Sequence, residues 1–335
     1  MSDRRHIDPR VGILEGEGSH QRVSGDEAAE PQPYAVWESL PSERRDGPTY
    51  YDRPAIKEPV WIWAVPAYFY AGGAAGAAAV LGEVARSLGD GGLDGVVRRS
   101  HVIAAAGGVA GTALLVYDLG RPERFLNMLR VFRVTSPMSI GSWILAAATP
   151  AFGAAALWGD SLLGRLAGRA GALLGLPLSG YTAVLVSTTA VPVWQQTRKS
   201  LPLLFVASAA TSAASLLEMG DLDEKERRVV TRFGITARIA ELAAGVAVEK
   251  EADRVERVGK PLKEGLSGSL WKAAKLATAG GLALSLVASK RRSARLAAGA
   301  LGTVGALALR FAIFHAGKTS ARDPRATFDQ QREPR

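Results

Sequence analysis

The sequence contains no cysteine among its 335 residues. This chain can therefore hold neither a disulfide nor a thiolate-bound iron–sulfur cluster. Histidine is scarce: there are four, and His6 and His20 fall in a polar N-terminal stretch. Only His101 and His315 lie near apolar runs, too few to ligate the haems of a membrane cytochrome, so no haem and no other metal site is expected. The opening Met1-Ser2-Asp3-Arg4-Arg5 precedes no apolar stretch and reads as neither a secretory nor a twin-arginine signal. Charged residues are absent from long internal runs, which excludes an ordinary soluble core for most of the chain.

Those runs carry the main signal. Hydrophobic residues make up 47% of the chain, yet residues 1–58 and 317–335 are polar. The hydropathy pattern predicts an all-α integral membrane protein with eight transmembrane helices, near 59–82, 99–118, 136–159, 176–197, 201–220, 229–248, 270–289 and 294–316. The sixth is interrupted by Arg232, Arg238 and Glu241, and residues 249–268 are charged at helical spacing, so that helix is expected to continue out of the membrane. Trp61, Trp63, Tyr68 and Tyr70 load the start of the first span, as an interfacial anchor does. Gly72-x-x-x-Gly76 and Gly107-x-x-x-Gly111 offer small faces to neighbouring helices. The net charge of +9 lies beside the apolar runs rather than in one patch, which favours lipid headgroups over nucleic acid. An even number of spans puts both termini on one side, and the excess of Lys and Arg there tilts that side to the cytoplasm of a cell-membrane protein.

Between the second and third runs, residues 118–137 carry four arginines, two acids and two prolines. Phe125, Met128, Leu129 and Phe132 share one helical face, as in an amphipathic segment at the membrane surface. The string DLGRPERFLNMLR, followed by SPMSIGSW, resembles the NrfD/PsrC family of polytopic subunits from respiratory molybdenum and iron–sulfur enzymes. The stretch from Thr49 to Trp61 before the first span and that from Ser179 to Trp194 agree with it, so the likeness runs roughly from Tyr50 to Pro324.

The resemblance implies a polar arm over 1–58, a four-helix bundle over 59–197 containing the loop 118–137, a second four-helix bundle over 198–316, and a tail over 317–335. It implies a menaquinone or other quinone as bound substrate, a four-cluster ferredoxin-like iron–sulfur subunit and a molybdopterin catalytic subunit as partners, and a lipid bilayer around the chain. Its characteristic stretches make Tyr51, Lys57, Trp61, Asp118, Arg121 and Tyr181 the candidate quinone contacts. For Asp118 and Arg121 the plain alternative is a local ion pair that shapes the loop. For Tyr181 it is an interfacial aromatic, at the end of its span opposite the Asp118 loop. His101, following Arg98 and Arg99, reads as interfacial.

Ionisable residues inside a bilayer are costly and each asks for a role. Glu218, Arg238, Glu241 and Arg310 fall within the second half of the apolar region. They read either as a proton path or polar wall beside a quinone, or as buried ion pairs that pin helix packing. Two other functions fit less of the sequence: a membrane anchor without quinone chemistry, and a polytopic transporter, against which stand the loop motif and the absence of a repeat between the halves.

Overall fold

The computed structural model describes residues 7–8, 13–14, 55–88, 91–120, 123–288 and 290–332. Nearly all of them are helical. Ile7–Asp8 and Ile13–Leu14 form a two-residue antiparallel pair.

Eight helices of 18 residues or more are present among the described residues: α1 (Ala64–Leu88), α2 (Asp94–Asp118), α4 (Pro137–Trp158), α5 (Leu162–Ser187), α7 (Leu201–Glu218), α8 (Glu224–Ala252), α10 (Gly265–Ala288) and α11 (Arg292–Ala321). Short helices join them: α3 (Glu123–Met128), α6 (Pro192–Gln196), α9 (Glu256–Gly259) and, at the end, α12 (Pro324–Arg332). Six of the long helices, α1, α2, α4, α5, α7 and α11, are long and apolar enough to cross a membrane. α8 is long enough but is interrupted by charge along its length, and α10 is long enough but is not among these six.

Helix neighbours follow the chain. α1 packs on α2 and α5, and α4 packs on the same two; α7 packs on α8 and α11, and α10 on the same two. α1 and α5 also touch α7, and α1 touches α11, so the two sets share a seam. Small residues set the spacing. A Cβ on Gly175 would lie 2.6 Å from the Gly76 carbonyl oxygen, so only glycine lets α1 and α5 come this close.

Several boundaries differ from the sequence expectation. The span expected at 176–197 begins at Leu162. Ser161 caps that helix by accepting the Gly164 N–H at 3.1 Å, and Pro177 sits inside it rather than at its end. Arg165 and Arg169 lie on its exposed face, and these charges hid the helix from a hydropathy reading. α5 then stops at Ser187, where Thr188 and Thr189 turn their hydroxyls back to Leu185 and Val186 and Pro192 opens the next short helix. The helix expected to run on through 249–268 ends at Ala252. Val255 and Gly259 start separate short turns, and Pro261 cannot continue a helix begun before it. α1 begins only at Ala64, after a non-helical approach from Ala55, and runs past the charge-free segment through Glu83 and Arg86. In the loop, α3 is six residues long, so Phe132 falls outside it. Phe132 is 57% exposed and meets Trp143 edge-on at 6.2 Å, while Phe125, Met128 and Leu129 are half-buried.

Candidate functional site

The end of the molecule holding the start of α1, the end of α2 and the end of α11 is knitted together by the approach to the first span. Glu58 accepts two hydrogen bonds from Arg322, each 2.8 Å, and lies 3.8 Å from Lys318. The carboxylate raises the Arg322 guanidinium further above its ordinary pKa, so this clamp stays charged. Trp61 stacks on Trp194 of α6 at 6.0 Å, and Trp194 is buried with its indole N–H donating to the Ile313 carbonyl at 2.8 Å. Asp118, the last residue of α2, accepts the Ile62 backbone N–H at 3.1 Å. Gly120 follows with φ of 66°, a left-handed turn that an L side chain resists, which fits the Asp-Leu-Gly order of the motif.

The candidate residues are thus distributed unequally. Trp61 and Asp118 meet in this junction. Lys57 is exposed on the approach to it. Tyr51 and Arg121 lie outside the described residues, and so therefore does the expected local Asp118–Arg121 pair. The partner the structure gives Asp118 is Ile62, on the non-helical approach to α1.

Tyr181 corrects the sequence reading most clearly. Because α5 runs from Leu162 to Ser187, Tyr181 lies near its C-terminal end, in the same half as Asp118 and not opposite it. Its hydroxyl hydrogen-bonds the hydroxyl of Tyr68 on α1. The Tyr181 ring covers Gly141 of α4 so closely that no Cβ fits there. Tyr68 is itself buried, at the head of an aromatic series in which Phe69 follows it at 6.1 Å and Phe205 follows Phe69 at 6.1 Å. That series leads to the seam between the two helix sets, where the Arg310 guanidinium sits 3.7 Å over the Phe205 ring and donates to the Phe205 carbonyl at 2.9 Å.

The four intramembrane charges are all buried, none more than 2% exposed. Arg238 and Glu218 form a direct pair across α8 and α7, with contacts of 3.0 and 2.5 Å. Ser215, Ser285 and the Ala298 carbonyl accept the remaining Arg238 hydrogen bonds at 3.2 Å. Glu241, three residues from Arg238, is therefore not its partner. Its carboxylate oxygens make no hydrogen bond of ordinary geometry among the described residues, and its polar surroundings are Thr211 and Ser208 of α7 with the charge of Arg310 nearby. Beside Glu241 is a small void of about 10 Å³, bounded also by Trp271, Lys275 and Thr278, about the room one water occupies.

Sequence reasoning missed several residues. Tyr68 read only as an interfacial aromatic, and Glu58 was read only as one position of the Thr49–Trp61 stretch, with no role of its own. His101 is buried, not interfacial, with its ring nitrogen 3.7 Å from Glu83 of α1. Glu83 sat just beyond the charge-free run, so nothing in the one-dimensional pattern joined it to His101.

The junction makes a specific expectation. Asp118→Ala removes the acceptor for the Ile62 amide and should lower the melting temperature of the protein in detergent, whereas Arg165→Ala, on the exposed face of α5 at the other end, should leave it unchanged. Equal melting of the two variants would refute it.

The profile of the family described as polysulphide reductase, NrfD matches residues 55–321. No curated protein matches the chain.

Proposed function

Because this chain belongs to the polysulphide reductase NrfD family of respiratory oxidoreductase membrane subunits, we propose that it is the quinone-reactive subunit of its complex. In this reading quinol gives up two electrons and two protons, or quinone takes them up, at the end of the molecule that holds the motif loop. The electrons pass to or from a separate four-cluster ferredoxin-like iron–sulfur subunit, and a molybdopterin subunit completes the chain. A protein without cysteine leaves the clusters to its partners.

The observation that carries this reading is the Tyr68–Tyr181 pair. Two phenol hydroxyls are held together inside the bundle, about 6 Å of helix beyond the start of α1, below the Ile62–Asp118 junction. Either hydroxyl can donate to a quinone carbonyl oxygen in exchange for its present partner. Trp61 and Asp118 close the end above them. Lys57, Tyr51 and Arg121 belong to the same two chain segments and complete the proposed contacts at the surface.

We place all eight long helices across the cell membrane as two four-helix bundles, 59–197 and 198–316, with the arm 1–58 and the tail 317–335 together on the cytoplasmic side. The burial of Arg238 and Glu241 supports a spanning α8, since lipid then meets neither charge. Glu241 and Arg310, buried without a direct bond to each other, are the residues we assign to proton movement; Glu218 and Arg238 we assign to packing.

Purification through a tag on this chain tests the proposal. A quinone-reactive subunit brings an iron–sulfur chromophore, extractable quinone and quinol-linked reduction of that chromophore. A bare anchor brings the chromophore without quinol reactivity, and a transporter brings neither; either result rejects the proposal.

A further inference from the structure

A cleft opens where the C-terminal end of α5, the short α6 and the first turn of α7 meet. Its volume is about 480 Å³, and Val184, Ser187, Thr188, Gln195, Arg198 and Lys199 line it. None of these residues belongs to the Tyr68–Tyr181 pair or to the arm junction.

Arg198 and Lys199 are adjacent, exposed, and without an ion pair among the described residues. A carboxylate that reaches this turn, Glu251, is buried and committed to Ser200, accepting its N–H at 3.0 Å and its hydroxyl at 2.5 Å. Two cationic side chains therefore stand at one opening with no counter-charge among the described residues. Independently, Ser187 is 7% exposed and its hydroxyl has no hydrogen-bond partner among the described residues. Its neighbours Thr188 and Thr189 both bond back to their own helix, and Ser187 does not. A buried hydroxyl in a cleft wall without a partner asks for one from outside the chain.

The remaining wall is apolar and faces outward. Val184 is 44% exposed, and Leu203 and Val206 on the adjoining face of α7 are 66% and 42% exposed. On helices that cross a membrane such side chains meet acyl chains. Arg198 and Lys199 stand at the ends of those helices, at headgroup depth.

We propose that this cleft binds the phosphate-bearing headgroup of an anionic phospholipid. The Arg198 fork takes two phosphate oxygens, and Lys199 adds the second positive charge. The Ser187 hydroxyl and the Gln195 amide donate hydrogen bonds, and an acyl chain lies along Val184, Leu203 and Val206. The pair of uncompensated cations selects a net negative headgroup over a zwitterionic one, whose own ammonium neutralises its phosphate.

The test uses the full chain in detergent, delipidated and then offered phosphatidylglycerol or phosphatidylcholine, with retained lipid read by native mass spectrometry. Phosphatidylglycerol should be retained in preference to phosphatidylcholine by about fivefold for each cation engaged. Arg198→Ala/Lys199→Ala should erase the preference, and Arg198→Lys/Lys199→Arg should keep it. Lys290→Ala/Arg291→Ala, at exposed cations on the other end of the molecule, should leave it unchanged. Excess inorganic phosphate should not displace the lipid. Equal retention of the two lipids by the unmodified chain, or an undiminished preference in the double alanine variant, overturns the proposal. So does displacement by inorganic phosphate, which would make this a free-phosphate site.

Discussion

Arg238→Ala should remove most of the stably folded protein from the membrane. The guanidinium is fully buried and holds five hydrogen bonds, two to Glu218 and one each to Ser215, Ser285 and the Ala298 carbonyl. Those partners lie on α7, α10 and α11, so one side chain from α8 ties its whole helix set together. Truncation leaves the Glu218 carboxylate buried and unpaired, a loss of about 3–5 kcal/mol for a pair of this kind. Arg238→Lys should recover little, because an ammonium cannot reproduce the planar fork that meets both carboxylate oxygens. Arg238→Leu/Glu218→Leu should recover part of the loss by removing both charges. Thermal unfolding in detergent together with membrane yield reads all of these, and melting of Arg238→Ala within a degree or two of the unmodified protein would contradict the argument. Glu241→Gln should behave differently. It breaks no ion pair and keeps the side-chain shape, so yield should hold while quinone turnover and any linked proton uptake fall. A fall in yield with normal turnover would return Glu241 to a packing role.

Tyr68→Phe and Tyr181→Phe should each lower quinol-linked turnover by about tenfold or more, the effect of losing one hydrogen bond to a reacting substrate. Neither substitution changes the ring, so the contacts of Tyr68 with Phe69 and of Tyr181 with Gly141 persist. Recovery of the iron–sulfur partner should therefore be unchanged, which separates a substrate contact from a structural prop. Tyr117→Phe is the control. Tyr117 lies at the same end of the molecule, 61% exposed and 6.0 Å from Trp63, and its hydroxyl is assigned no part in the reaction. Turnover equal to the unmodified complex in both Tyr68→Phe and Tyr181→Phe would remove the pair from the site.

The sequence by itself determined the membrane character of the chain, its family through the loop that begins at Asp118, and the extents of α4 and α7 to within two residues. These are legible because hydropathy and capping are properties of one segment: Ser136 accepts the Ser139 N–H at the start of α4 whatever surrounds it. The first half of α5 was lost by the same logic, since Arg165 and Arg169 lower the hydropathy of a helix that turns them outward, and Pro177 imitates an end. What only the tertiary structure decided is which residues meet. Rotation of α8 about its axis gives Arg238 to Glu218 on another helix rather than to Glu241 on its own. The true start of α5 moves Tyr181 through the membrane to Tyr68, and the non-helical approach to α1 hands Asp118 to Ile62 and Glu58 to Arg322. Each such pair depends on the rotation and depth of two helices relative to one another, and a pattern summed along one helix carries no term for either.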